Sequence, residues 1–301
     1  MAFRLDRDRS VAAGLASVIR KQVDGAVEDV ANRQLSHLKR IHKARTRCKK
    51  IRAAFRLVRP CDEDMYQKEN AWFRDAAHDL SILRDADAIV VSFDNLFKNK
   101  DSSMLPDEFK RVRRQLLKIR REQIPDAAGI ERRLADFVTK MRRARKRCHQ
   151  WLVEACDPDT LACGLAETYR GARNAFQESR ETPDDAVLHE WRKRVKYHRY
   201  QLRLLRDAWP PVMKKLSDQA SKLSDLLGDD HDLIVLRDQL MNLKNVNASA
   251  VAALCTLIAA RQHELRAGAI PLGAHIFAEK PSAFARRFTK WWKSAESAAA
   301  A

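Results

Sequence analysis

Ile41, Ala44, Cys48, Ile51, Phe55 and Val58 follow one another three or four positions apart, the spacing that places side chains on one face of an α-helix. At roughly 100° per residue they fill a single arc, which predicts the core face of a helix through the forties and fifties. Leu188, Trp191, Val195, Leu202 and Leu205 repeat that face later in the chain, with His198 where the first run has Ile51. No segment alternates apolar and polar residues long enough to predict a strand. Clusters of Pro, Gly, Ser and Asp at 99–106, 123–129, 156–160, 180–185, 209–211 and 267–273 predict the breaks, supplying turns and N-caps. Short connections between such helices favour antiparallel neighbours, so the pattern predicts helical bundles.

The two helices are also polar copies of one another. His42, Arg45, Lys49, Arg52, Arg56 and Arg59 match His189, Arg192, Lys196, Arg199, Arg203 and Arg206, each pair 147 positions apart. Nearby offsets recover "AAGLASVIR" (12–20) as "ACGLAETYR" (162–170), "RDADAIVV" (84–91) as "DDHDLIVL" (229–236), and "TKMRR" (139–143) as "TKWWK" (289–293). Repetition of that order predicts two copies of one unit, about 4–156 and 157–296. Each holds a small-residue-rich helix, a basic helix, a long amphipathic helix and a final basic helix.

Charge sharpens this picture. The 301-residue chain carries 58 Lys and Arg against 40 Asp and Glu, a formal net charge of +18. An excess of that size favours a polyanionic partner: nucleic acid, an anionic membrane surface or inorganic polyphosphate. The six matched residues of the first basic helix occupy an arc of roughly 100° beside its core face. The cations therefore border the buried seam, where arginine stems pack while their heads line a groove. Like charges three or four apart repel, and a solvated face would intersperse acids; neither stripe contains one. Arginine predominates, which suits bidentate contact with phosphate oxygens.

The remaining motifs narrow the chemistry. His42 and His189 have no second His, Cys or carboxylate at i+3 or i+4 within their stripes, which argues against a metal site and for phosphate binding or a buried helix-start role. Asp85, Asp87, Asp229, Asp230 and Asp232 suit helix capping or pairing with arginines across the bundle better than a divalent cation. Trp151, Trp191, Trp209, Trp291 and Trp292 fall on apolar faces or helix ends and are expected in the core rather than as stacking platforms. The six cysteines form no CxxC pair and no zinc spacing, so reduced thiols in a cytoplasmic protein are expected. The apolar run 248–260 is too short to span a bilayer and reads as a core helix, so no membrane insertion is expected. No P-loop, HExxH, nucleophile elbow or dinucleotide fingerprint is present, and neither catalysis nor a cofactor is expected.

Together these features resemble the CHAD family, the conserved histidine α-helical domain. The resemblance rests on "HKARTRCKKIRAAF" and "HEWRKRVKYHRYQL", each followed by an acidic element, "LSILRDADAIV" (80–90) and "LSDLLGDDHDLIV" (223–235), and it covers residues 4–296. It implies an all-α fold of two four-helix bundles related by a pseudo-twofold, with a basic groove. It also implies non-enzymatic binding of inorganic polyphosphate, with association to polyphosphate granules. The binding residues expected are His42, Arg45, Lys49, Arg52, Arg56, His189, Arg192, Lys196, Arg199 and Arg203, joined by Lys140, Arg143 and Arg147 of the basic segment 140–151. The triphosphatase domain often fused to this family carries an ExExK strand, a motif missing from this sequence. General RNA binding by the same surface is the alternative, with nucleic acid otherwise a weaker competitor; it would need base-reading side chains or exposed aromatics among the cations. In the first acidic element "ILRDA" replaces "LLGDD", removing the glycine expected to close that helix.

Overall fold

The computed structural model describes residues 3–6, 9–98, 105–151 and 156–300; the side chains of 82–86, 149 and 296–300 are outside that description. Helices α1 (Val11–Ala31), α2 (His37–Leu57), α3 (Glu63–His78), α4 (Ile82–Leu96), α5 (Asp107–Gln123) and α6 (Ala127–Lys146) form the first half. Helices α7 (Pro158–Glu181), α8 (Asp185–Leu204), α9 (Pro210–Met241), α10 (Ala248–Ile276) and α11 (Pro281–Ala300) form the second. The fold is all-α, without a strand among the described residues.

Local chemistry explains most helix starts. Ser10, Ser36, Asp62, Asp126, Asp157, Asp184 and Asn247 each accept a backbone N–H of the first turn through the side chain. Pro158, Pro210 and Pro281 open α7, α9 and α11, where a missing N–H costs nothing.

Four helices were expected in each half, and the described residues hold six before 152 and five after 157. In the first half the long amphipathic element is interrupted between α3 and α4, whereas α9 runs unbroken for 32 residues. Gly228 does not close a helix: it lies inside α9, where a Cβ would meet only Arg192 Nε, at 3.9 Å. The break expected at 267–273 is also corrected, because α10 continues through Pro271. A Cβ on Gly273 would lie 2.6 Å from Trp191 and 2.9 Å from Phe176, so bare backbone docks there against two rings. Tertiary packing of that kind outweighs the helix-breaking tendency of proline and glycine.

The predicted faces of α2 and α8 are both buried, His198 included. They meet in one large core, since α2 packs on α7 and α8 as well as on α1 and α3, and that core crosses the boundary expected at 156–157. A smaller core forms where α4 and α5 pack with α9 and α10. In the large core His198 stays neutral, its pKa lowered to about 3 by burial, with its ring against Tyr169 and Phe284.

The expectation of reduced thiols is overturned at one pair. Cys61, beyond α2, is bonded to Cys156, ahead of α7, with their Cα atoms 6.1 Å apart. Gly164 marks the same junction, its Cβ position 2.2 Å from the Leu57 carbonyl oxygen. Two cysteines 95 residues apart are joined only by this helix crossing, which no spacing rule reveals.

Candidate functional site

Each basic stripe has partners on the helix that follows it, α3 for the stripe of α2 and α9 for that of α8. On α2, Arg45 Nη1 donates to the Ala77 carbonyl near the end of α3 at 2.8 Å, and Arg52 Nε donates to Asn70 Oδ1 at 2.9 Å. The Arg56 guanidinium lies 4.1 Å from the Tyr197 ring centre and 5.4 Å from that of Tyr66. Arg59 shares Tyr66 and pairs with Glu63 at 2.5 Å. Lys49 is half-buried; His42 is exposed and lines a small cavity with Leu38, Lys39, Lys43 and Asp87. Arg52 and Arg56 are thus held by an amide and by rings, partners that fix orientation without cancelling charge. Burial lowers the pKa of Arg52.

The α8 stripe is held by more polar neighbours. Arg192 pairs with Asp232 of α9 at 3.7 Å, and Arg199 Nη1 reaches Ser221 Oγ at 3.3 Å and Asp225 at 3.4 Å. His189 Nδ1 lies 3.2 Å from Nδ1 of His231, also on α9. Lys196 is half-buried, while Arg203 is exposed. The second histidine missing from the stripe itself therefore arrives from the neighbouring helix. Among the described residues no group of three or more His, Cys, Asp and Glu is placed to hold a metal.

The stripes approach one another where α2 crosses α8, a contact marked by Gln201 Nε2 donating to the Ala53 carbonyl at 3.3 Å. Lys50 and Tyr197 occupy matching positions, again 147 apart in sequence. Tyr197 of α8 carries Arg52 and Arg56 of α2 on its ring. Lys50 of α2 has its pKa lowered to about 8, first by burial and then by Arg203 and Arg47, with Arg199 adding to them and Asp29 opposing. Cations from both halves are therefore close enough at this crossing to repel a proton from an amine.

The third group of expected site residues divides. Lys140 pairs with Asp79 just beyond α3, close to the carbonyl that Arg45 meets. Arg147 makes a bidentate pair with Glu69, at 3.1 and 2.9 Å, and lies over Trp72. Arg143 is exposed on α6.

The aspartates lie inside α4 and α9 rather than at helix starts, so the capping reading is replaced by the arginine reading. Asp87 pairs with Arg120 at 2.7 Å, and buried Asp230 pairs with Arg266 at 2.8 Å. Burial, then Asp232 and Asp225, raise the pKa of Asp229. The Asp85 side chain is outside the described residues. Trp151, Trp191 and Trp292 are core residues as expected; Trp209 departs from that, being 45% exposed with its ring 5.1 Å from that of Trp291.

Lys50, Tyr66, Asn70, Tyr197 and His231 escaped the sequence reading. The offset of 147 would have found Tyr197 once Lys50 was chosen. Tyr66, Asn70 and His231 lie on the packed neighbour, whose rotation no local pattern fixes.

The sequence model of the CHAD domain family matches residues 16–241. No curated protein matches the chain. Among solved structures, the crystal structure of the CHAD domain from the plant Ricinus communis is similar at a TM-score of 0.58 and 17% identity, covering 91% of this chain and 95% of that one. Identity that low speaks for the fold alone. Among the described residues no helix is long and apolar enough to cross a membrane.

Proposed function

The chain belongs to the CHAD domain family, and on that premise we propose that it binds inorganic polyphosphate through the stripes of α2 and α8, without a catalytic step. One observation carries this reading: Arg52 and Arg56 are partly buried beside neutral partners, and Lys50 is partly buried beside Arg203 and Arg47, which outweigh Asp29. Such an arrangement costs the free protein stability and is relieved by a polyanion. Arginine heads held on rings and amides are preorganised for phosphate oxygens, so less rotamer freedom is lost on binding.

RNA is disfavoured because the two tyrosines among the cations already carry arginines on their faces, which leaves those faces unavailable for stacking. Association with polyphosphate granules belongs to the same proposal.

The test replaces Arg52, Arg56, Arg199 and Arg203 by Gln, with circular dichroism as the folding control. Counterion release predicts a log–log salt slope that falls by about 0.7 per contact removed from a flexible chain, close to 3 for all four. An unchanged affinity and slope in the folded variant would remove these stripes from the binding site.

A further inference from the structure

Two imidazole Nδ1 atoms 3.2 Å apart are within hydrogen-bonding distance, and the ring centres of His189 and His231 are 4.4 Å apart. Such a contact needs one N–H and one lone pair. In the neutral pair, the donor ring carries its proton on Nδ1 and a lone pair on Nε2, while the acceptor ring carries its proton on Nε2. One added proton enters at the donor ring's bare Nε2. The inter-ring bond then survives, and both Nε2 atoms become donors. A second added proton would set two N–H groups face to face at Nδ1, so the pair is built to accept one.

The surroundings decide when that proton enters. From α8, Arg192, Lys193 and Lys196 face the pair, together with Asp185 and Glu190. From α9, Asp232 is paired with Arg192 and Arg237 with Asp185; from α10, Arg266 also reaches Asp185, at 3.2 Å. Glu190 is held by Lys193 and Arg194. Also on α9, Asp230 is bonded to Arg266 and Asp229 lies beside Arg192; the charges that act against a proton on both rings are those of Arg192 and Lys196. Burial first, and then Arg192, lower the pKa of both histidines, that of His231 to about 4. Negative charge arriving on Arg192 and Lys196 reverses the local sign, which favours the charged form of the pair.

We propose that the His189–His231 pair takes up one proton when phosphate groups occupy the α8 stripe, making polyanion binding at this half of the site tighter as pH falls. This rests on the polyphosphate reading above. For one proton, linkage sets the change at up to about tenfold in affinity per pH unit. The rise begins as pH drops into the bound-state titration range and levels off below the free-state values, near 4 for His231. Internal phosphoryl groups of a long chain keep a constant charge across that window, so the dependence belongs to the protein.

Calorimetric titration of the full chain with long-chain linear polyphosphate at about pH 6, in two buffers of different ionisation enthalpy, reads the proton count directly. The expected result is an uptake approaching one proton, lost in His231→Gln, whose affinity also varies less with pH. Histidine ring signals of the unsubstituted protein, followed by NMR with and without polyphosphate, supply a readout independent of that variant's folding; the His189 and His231 titrations should move upward together. Binding without proton uptake, or equal uptake in folded His231→Gln, overturns this proposal alone. Failure to bind at any pH overturns the polyphosphate reading and this proposal with it.

Discussion

Replacing Lys50 by Met should make the free protein more stable and its polyphosphate complex weaker. The substitution keeps the length of the stem that packs where α2 crosses α8, and it removes the charge beside Arg203, Arg47 and Arg199. A tenfold change in proton affinity is about 1.4 kcal/mol, so a fall from 10.5 to about 8 sets a ceiling of about 3 kcal/mol on the gain. Partial exposure and salt screening reduce that to about 1–2 kcal/mol. Loss of the ammonium contact with the Phe3 ring, 5.5 Å away, subtracts about 0.5 kcal/mol. The expected net gain at pH 7 is about 1 kcal/mol. Because the folded-state pKa is lowered, the wild-type penalty is complete below about 8 and fades as pH rises from there toward 10.5. Urea unfolding of both proteins at pH 7 and near pH 10 reads the difference and its decline, and a polyphosphate titration should show severalfold weaker binding. A less stable Lys50→Met protein at pH 7, or a gain that does not change with pH, would refute the claim that burial, and then the neighbouring cations, disfavour the Lys50 charge at this crossing.

Other expectations concern the frame that holds the stripes. Gly164→Ala should lower unfolding free energy by about 2 kcal/mol or more, because the new methyl collides with backbone at Leu57 and α2 and α7 must separate. Glu131→Gln should cost about 2 kcal/mol near neutral pH, leaving Arg40, only 3% exposed, without its carboxylate. The Glu131 pKa is lowered to about 2, mainly by Arg40, so that stabilisation is present above the ordinary 4.5 and is lost as pH falls toward 2; the two proteins should converge over that range in acid denaturation. Thiol counting on the denatured, unreduced chain should find the four cysteines 48, 148, 163 and 255, and six after reduction. Cutting the Cys61–Cys156 bond should cost about 2–4 kcal/mol, read from urea unfolding with and without reductant.

The faces of α2 and α8 were legible because helical periodicity is local: every residue assigned to either core face is buried. Caps at Asp126, Asp157 and Asp184 were legible for the same reason, since each cap bonds to an amide within its own first turn. Tertiary packing decided the rest. Pro271 and Gly273 looked like a break until Trp191 and Phe176 required bare backbone beside them. The stripes looked free of compensating charge because Asp225 and Asp232 arrive from α9, outside the local window. Tyr66 and Tyr197 gave no signal of their own, since a tyrosine that orients an arginine has the same local spacing as one in the core.

Direct competition among long-chain polyphosphate, tripolyphosphate and single-stranded RNA, matched in phosphate concentration at physiological salt, tests the central claim. Long polyphosphate should displace the other two, since tripolyphosphate is too short to engage cations from both helices together and RNA finds the tyrosine faces already taken by arginines. Equal or tighter binding of RNA would contradict it, reducing the stripes to a generic cationic surface.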